Sequence, residues 1–90
     1  MFKTLEELIA TIRERKGSLT AESYTNKLLN NKKLSIEKVK EEIAELIDAV
    51  EKNSNKVHEA ADVLYHLMVL LEAYGIKIED VMKELKKRQK

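Results

Sequence analysis

The stretch "VHEAADVLYHLMVLL", residues 57 to 71, decides the fold. Placed on a helix, its apolar side chains point in nearly every direction, as in a segment meant for burial. Glu59, Asp62 and His66 are the exceptions, and they fall at i, i+3 and i+7 on one narrow strip. An ionised carboxylate is very costly to bury alone, so Glu59 and Asp62 must be paired, protonated or bound to a cation.

Outward from this stretch the same periodicity continues. Proline is missing, only two glycines occur, and apolar residues recur at three- and four-residue steps, which predicts an all-α fold. A first helix carries the stripe Phe2, Leu5, Leu8, Ile9 and Ile12 and stops at Lys16 and Gly17. A second starts near Ser18 to Thr20 and runs to about Asn30, with "NNKK" as the following turn. Ser35 is the expected N-cap of a third helix whose inward stripe is Ile36, Val39, Ile43, Leu46, Ile47 and Val50, and which stops in "EKNSN". Ser54 is the expected cap of the fourth, which runs to Tyr74 and ends at Gly75 in a left-handed conformation. A last helix covers Glu79 to Lys87 with Val81, Met82 and Leu85 facing inward. The short link between the third and fourth helices favours an antiparallel hairpin. The expected architecture is one domain over residues 1–90, a compact bundle of about five helices. So small a chain with so apolar a fourth helix gains from burial against a second copy, which predicts a homodimer.

Charge and composition narrow the function. Seventeen basic and 16 acidic residues are interleaved without a long block of one sign, which argues against a nucleic-acid-binding arm. The basic cluster "KELKKRQK" suits a helix C-terminus, where cations complement the dipole. Without cysteine, disulfides and thiolate metal sites are excluded, so any metal is held by oxygen or by the two histidines, and a hard cation is expected. No N-terminal run is long or apolar enough for a signal peptide or membrane span, and a cytoplasmic protein is the simplest expectation.

The third helix, "KVKEEIAELIDAV", offers Glu42 and Glu45 at the same i, i+3 spacing as Glu59 and Asp62. In an antiparallel hairpin the four acids would face each other and repel unless neutralised. Two readings stand: a divalent cation of the Mg²⁺ or Mn²⁺ type, which favours oxygen ligands, or ion pairs with Lys38, Lys40 or Lys56. His66 is either a group that orients a ligand or phosphate, or a hydrogen-bonded core histidine. His58 lies on a different side of the helix and is expected to be exposed.

These residues resemble a known family. "EEIAE" at Glu41 to Glu45 followed by "EAAD" at Glu59 to Asp62 is similar to the EExxE and ExxD motifs of the all-helical, MazG-like nucleoside triphosphate pyrophosphohydrolases. "SYTNKLL" at Ser23 to Leu29, "EAADVLYHLMVLL" at Glu59 to Leu71 and "GIKIEDVMKEL" at Gly75 to Leu85 resemble, in order, the phosphoribosyl-ATP pyrophosphohydrolases of histidine biosynthesis. The family usually has glycine just before the paired glutamates, where this chain has Lys40; every acidic position is kept.

The resemblance implies hydrolysis of the α–β phosphoanhydride of phosphoribosyl-ATP to phosphoribosyl-AMP and pyrophosphate. Mg²⁺, with Mn²⁺ as a substitute, would be held by Glu42, Glu45, Glu59 and Asp62, and Glu41 or Glu45 would take the proton of the attacking water. Tyr24, Thr25, Lys27, Lys38 and His66 are the expected substrate contacts. Tyr24 either stacks on substrate or packs in the core, and Lys27 either meets a phosphate or is solvated. The expected partners are phosphoribosyl-ATP, a second copy of the chain, and in association the phosphoribosyl-AMP cyclohydrolase of the next step; neither nucleic acid nor membrane is among them. The rivals are a related pyrophosphohydrolase acting on other nucleoside triphosphates and a non-enzymatic helical interaction domain.

Overall fold

A computed structural model describes residues 1–17 and 23–89. It contains α1 (Lys3–Lys16), α2 (Tyr24–Leu29), α3 (Lys32–Lys52), α4 (Lys56–Ala73) and α5 (Ile78–Arg88), with no strand among the described residues. The chain is thus all-α with five helices, as its periodicity predicts. The expected start of the second helix, Ser18 to Thr20, lies outside the described residues.

Local chemistry fixes the helix ends. Ser23 caps α2: its Oγ accepts from the Asn26 amide at 3.2 Å and donates to Asn26 Oδ1 at 2.7 Å. Asn26 is buried and donates through Nδ2 to the Arg15 carbonyl at 2.7 Å, tying α2 to the end of α1. Asn31, not Ser35, caps α3 by accepting from the Leu34 amide at 3.1 Å. "NNKK" is therefore cap and first turn rather than a free turn. Ser35 sits one turn inside, almost fully buried, and its Oγ donates to the Leu28 carbonyl at 2.6 Å, which clasps α3 to α2.

α3 ends in a Schellman motif. Asn53 is left-handed at φ 54°, its amide bonds Val50 O at 3.2 Å, and the Ser54 amide bonds Ala49 O at 3.0 Å. Ser54 thus closes α3. The residue before α4 is Asn55, also left-handed at φ 54°, and it makes no side-chain cap bond. α4 ends the same way at Gly75, φ 70°, with the Ile76 amide on Leu71 O at 2.8 Å.

The buried core joins Ile12 of α1, Leu28 and Leu29 of α2, and Met68, Val69 and Ala73 of α4, with Leu5, Leu8, Ile9, Leu34, Leu67 and Ile78 packed around it. All of these lie at one end of the molecule. α3 runs antiparallel along α4, but its inner face differs from the expected stripe. Ser35, Val39, Glu42 and Ala49 are buried, whereas Ile43, Ile47 and Val50 are 43, 54 and 57% exposed. The carboxylate side of α3, not its most apolar side, faces α4. α4 also departs from the expected all-round burial, with Val57 at 86% and Leu64 at 46% exposure.

Phe2 is exposed and precedes α1. α5 has no buried residue, and Met82 and Leu85 are half exposed rather than inward-facing. Ile78 packs against the core, and Arg13 adds a tether: its Nη1 and Nη2 donate to the two Glu79 carboxylate oxygens at 2.9 and 2.6 Å, while Nε reaches Glu72 at 3.4 Å. No described helix is long and apolar enough to cross a membrane.

Candidate metal centre

The hairpin brings the four acids together in antiparallel register. Glu42 feels the charge of Asp62, and Glu59 that of Glu45, three residues forward on α3 matching three back on α4. Donor atoms of Glu41, Glu42 and Glu45 lie within 4.8 Å of one another, as do those of His58, Glu59 and Asp62. Between the helices an open cleft of about 450 Å³ is lined by Glu41, Glu45, Asp48, Lys52, Asn55 and Glu59.

Electrostatics separates the acids. Glu42 is 9% exposed, and burial pushes its carboxyl above the ordinary range, with Glu45 and Asp62 adding to the shift and His66 opposing it. Burial likewise pushes Glu59 up, helped by Glu45 and Asp62. Glu42 Oε2 and Glu59 Oε2 are both buried without a hydrogen-bond partner. Native proteins rarely leave such atoms unmatched, and two carboxylate oxygens orphaned in one cluster have the donor chemistry of a hard-cation site.

The lysine alternative fares poorly. Lys38 pairs with Glu41 at 3.3 Å, which raises its own pKa, and Lys56 bonds the Asn53 side chain. Among the described residues no lysine pairs with Glu42, Glu45, Glu59 or Asp62. Asp48 lies off this cluster and pairs with Lys52 at 3.1 Å. Lys40, which directly precedes the paired glutamates, is exposed and turns toward solvent.

An aromatic corner adjoins the acids. His66 is buried; its Nδ1 lies 2.9 Å from the Asp62 carbonyl and its Nε2 3.1 Å from the Tyr24 hydroxyl. The carbonyl can only accept, so Nδ1 carries a proton, and Nε2 shares its hydrogen bond with the Tyr24 hydroxyl. Both ring nitrogens are thereby engaged, which is the hydrogen-bonded core histidine of the two readings. Tyr24 is 46% exposed and stacks near-parallel to Tyr65 at 6.4 Å between centroids. Burial raises its hydroxyl pKa, nearby Lys38 opposes the shift, and the charges of Glu42 and Glu41 add to it, which puts the hydroxyl within reach of the acid cluster. The Thr25 hydroxyl is engaged with that of Tyr65 at 2.5 Å, and Lys27 is exposed on α2.

Sequence reasoning missed two residues. Asn26 fixes α2 from inside. His58 is exposed as expected, but it does not stand apart: its Nε2 is 3.4 Å from Asp62 Oδ2. The i, i+4 spacing of 58 and 62 was the available signal.

The model of the family described as phosphoribosyl-ATP pyrophosphohydrolase matches residues 5–89. A phosphoribosyl-ATP pyrophosphatase of Bacillus cereus is 48% identical over 84 residues, covering 90% of this chain and 78% of its own length. That of Haloarcula marismortui is 40% identical over 90 residues, covering 94% and 92%, and that of Dechloromonas aromatica 43% over 88, covering 94% and 82%. With a match along nearly its whole length, both acidic motifs included, the chain belongs to the phosphoribosyl-ATP pyrophosphohydrolase family.

Proposed function

We propose that this chain, acting as one unit over residues 1–90, hydrolyses phosphoribosyl-ATP to phosphoribosyl-AMP and pyrophosphate, with a divalent cation held by Glu42, Glu45, Glu59 and Asp62. The observation that carries this reading is the pair of buried, partnerless oxygens, Glu42 Oε2 and Glu59 Oε2, in a cluster of four acids. When bound, Mg²⁺ or Mn²⁺ supplies charge neutralisation for the phosphates and lowers the pKa of a bound water.

The chain's own residues do the rest. Glu41 lines the same cleft but stands outside the ligand quartet, oriented by Lys38 at 3.3 Å, and it accepts the proton of the attacking water. Lys38 also offers a positive charge to a phosphate at the cleft edge. Tyr24 presents its half-exposed ring to the substrate, and His66 positions Tyr24 through its Nε2. Thr25 acts through Tyr65, holding the second ring of the corner. Lys27 has no observed contact that draws it to the acids, and its phosphate role rests on charge alone.

The same reading includes a homodimer. Ile43, Ile47 and Val50 on α3 and Val57 and Leu64 on α4 leave the hairpin with exposed apolar side chains that a second copy would cover.

The test is pyrophosphate release from phosphoribosyl-ATP and from a panel of ordinary and modified nucleoside triphosphates, with and without Mg²⁺. Metal-dependent turnover with phosphoribosyl-ATP preferred is expected. Preference for the panel, or turnover indifferent to chelator, overturns the reading.

A further inference from the structure

We propose that His58 is an additional metal ligand, giving the acidic cleft one imidazole nitrogen and thereby a greater selectivity for cobalt, nickel or zinc ions over magnesium than an all-oxygen site has. This rests on the metal reading above and goes beyond it in naming a fifth donor and the ions it favours.

Geometry carries the proposal. His58 and Asp62 are one turn apart on α4, and Nε2 of His58 lies 3.4 Å from Oδ2 of Asp62. Donor atoms of His58, Glu59 and Asp62 all fall within 4.8 Å of one another, so a single ion can touch all three. The His58 side chain is 72% exposed and reorients at little packing cost. A His–Asp ion pair alone does not explain the arrangement, because Glu59 Oε2 stays buried and partnerless beside it. The neighbouring Glu42, nine-tenths buried, leaves its Oε2 equally unmatched. The nearest lysine in sequence, Lys56, bonds Asn53 instead and supplies no charge to the cluster.

The chemistry follows from donor softness. Carboxylates suit magnesium and manganese, whereas imidazole suits zinc, nickel and cobalt far better than magnesium. Adding one nitrogen to an oxygen set should strengthen binding of the later ions and leave magnesium nearly unchanged.

The experiment titrates the full chain and the His58→Gln variant with Ni²⁺ and with Mg²⁺ alone, by calorimetry. It also follows the ring nitrogens of the two histidines by ¹⁵N NMR as Zn²⁺ is added. The expected result is a loss of about tenfold or more in Ni²⁺ affinity for the variant. Mg²⁺ affinity should stay within about twofold. Zn²⁺ should shift the His58 signals and leave those of His66, whose nitrogens are already bonded. Equal Ni²⁺ affinity in the two proteins, or His58 signals unmoved by Zn²⁺, overturns the role of His58 while Mg²⁺ binding keeps the metal centre standing. Absence of binding by any of the three ions overturns both.

Discussion

Glu42→Gln is the most informative substitution, because Glu42 is the acid that the fold tolerates least. Its Oε2 is buried and unpartnered. An orphaned buried acceptor costs about 1–3 kcal/mol. Glu45 and Glu59 line an open cleft, and water there screens the cluster, so the lower end, about 1 kcal/mol, applies. The glutamine amide keeps the shape, removes the charge and can donate to Glu45. For a domain of this size about 1 kcal/mol moves the melting temperature by roughly 4–8 °C. In chelator at pH 7 the variant should therefore melt higher than the parent by that amount. Divalent metal should reverse the order. An ion at ten times its Kd stabilises the parent by about 1.4 kcal/mol and the ligand-depleted variant by much less. Melting curves followed by circular dichroism, with chelator and with millimolar Mg²⁺, decide the matter. A variant that melts lower than the parent without metal, or an equal rise with Mg²⁺ in both, would refute the reasoning. Linkage gives a second check. Glu42 and Glu59 have raised folded-state pKa values, so the part of the metal-free stability that these two groups contribute is fully present below the ordinary glutamate value of 4.5 and is lost as pH rises through the raised values. The slope should flatten in Glu42→Gln.

Asp62→Asn should abolish pyrophosphate release while leaving the far-ultraviolet spectrum unchanged; unfolding of the variant would mark Asp62 as a structural ion-pair member. Ser35→Ala should lower stability by about 1 kcal/mol, since it removes the bond that Oγ donates across the fold and leaves the Leu28 carbonyl with the Asn31 amide alone; an unchanged melting temperature would show that the clasp between α2 and α3 contributes nothing. Glu79→Gln should loosen α5, which Ile78 still holds to the core, without touching the acids. In the parent, Arg13 holds the Glu79 carboxyl down to about 2, so the tether is fully present above the ordinary glutamate range and is lost as pH falls through about 2. Hydrogen exchange of the α5 amides at pH 7 should be faster in the variant, and indifference there would show that α5 is held by other contacts.

The helices and the acid quartet were legible because both are matters of period. Glu42 and Glu45 repeat the spacing of Glu59 and Asp62, and a short link leaves an antiparallel hairpin as the favoured way to join the two helices. Caps were less legible. Asn31 and Ser35 are both good capping residues, and only the carbonyl that Ser35 meets across the fold, that of Leu28, decides between them. Ser54 had the same ambiguity, settled by its amide closing α3. The inward face of α3 could not be read from hydrophobicity, because the rule that apolar residues point inward assumes that the site makes no competing claim. Here Glu42 takes the inner position and Ile43 is turned out. Helical angle puts His58 on a different side from the strip through Glu59, Asp62 and His66, but side-chain reach brings its Nε2 to 3.4 Å from Asp62 Oδ2.

That displacement links the metal reading to assembly. The core of α1, α2 and the C-terminal half of α4 is satisfied within one chain, with Leu28 and Val69 fully enclosed. The other end, where α3 and α4 turn, spends its inner face on carboxylates whose charges repel, and it leaves Ile47, Val50 and Val57 more than half exposed on the outside. Both defects sit on the same hairpin, one on each face. On the proposed reading a cation would answer the inner one by neutralising Glu42, Glu45, Glu59 and Asp62, and a second copy would answer the outer one by covering the apolar side chains. Because the same two helices carry both faces, any order that a second copy imposed on α3 and α4 would also hold the carboxylates in register. Metal affinity and dimerisation should thus rise and fall together: each shifts the hairpin toward the arrangement that the other requires, and linkage makes the effect reciprocal.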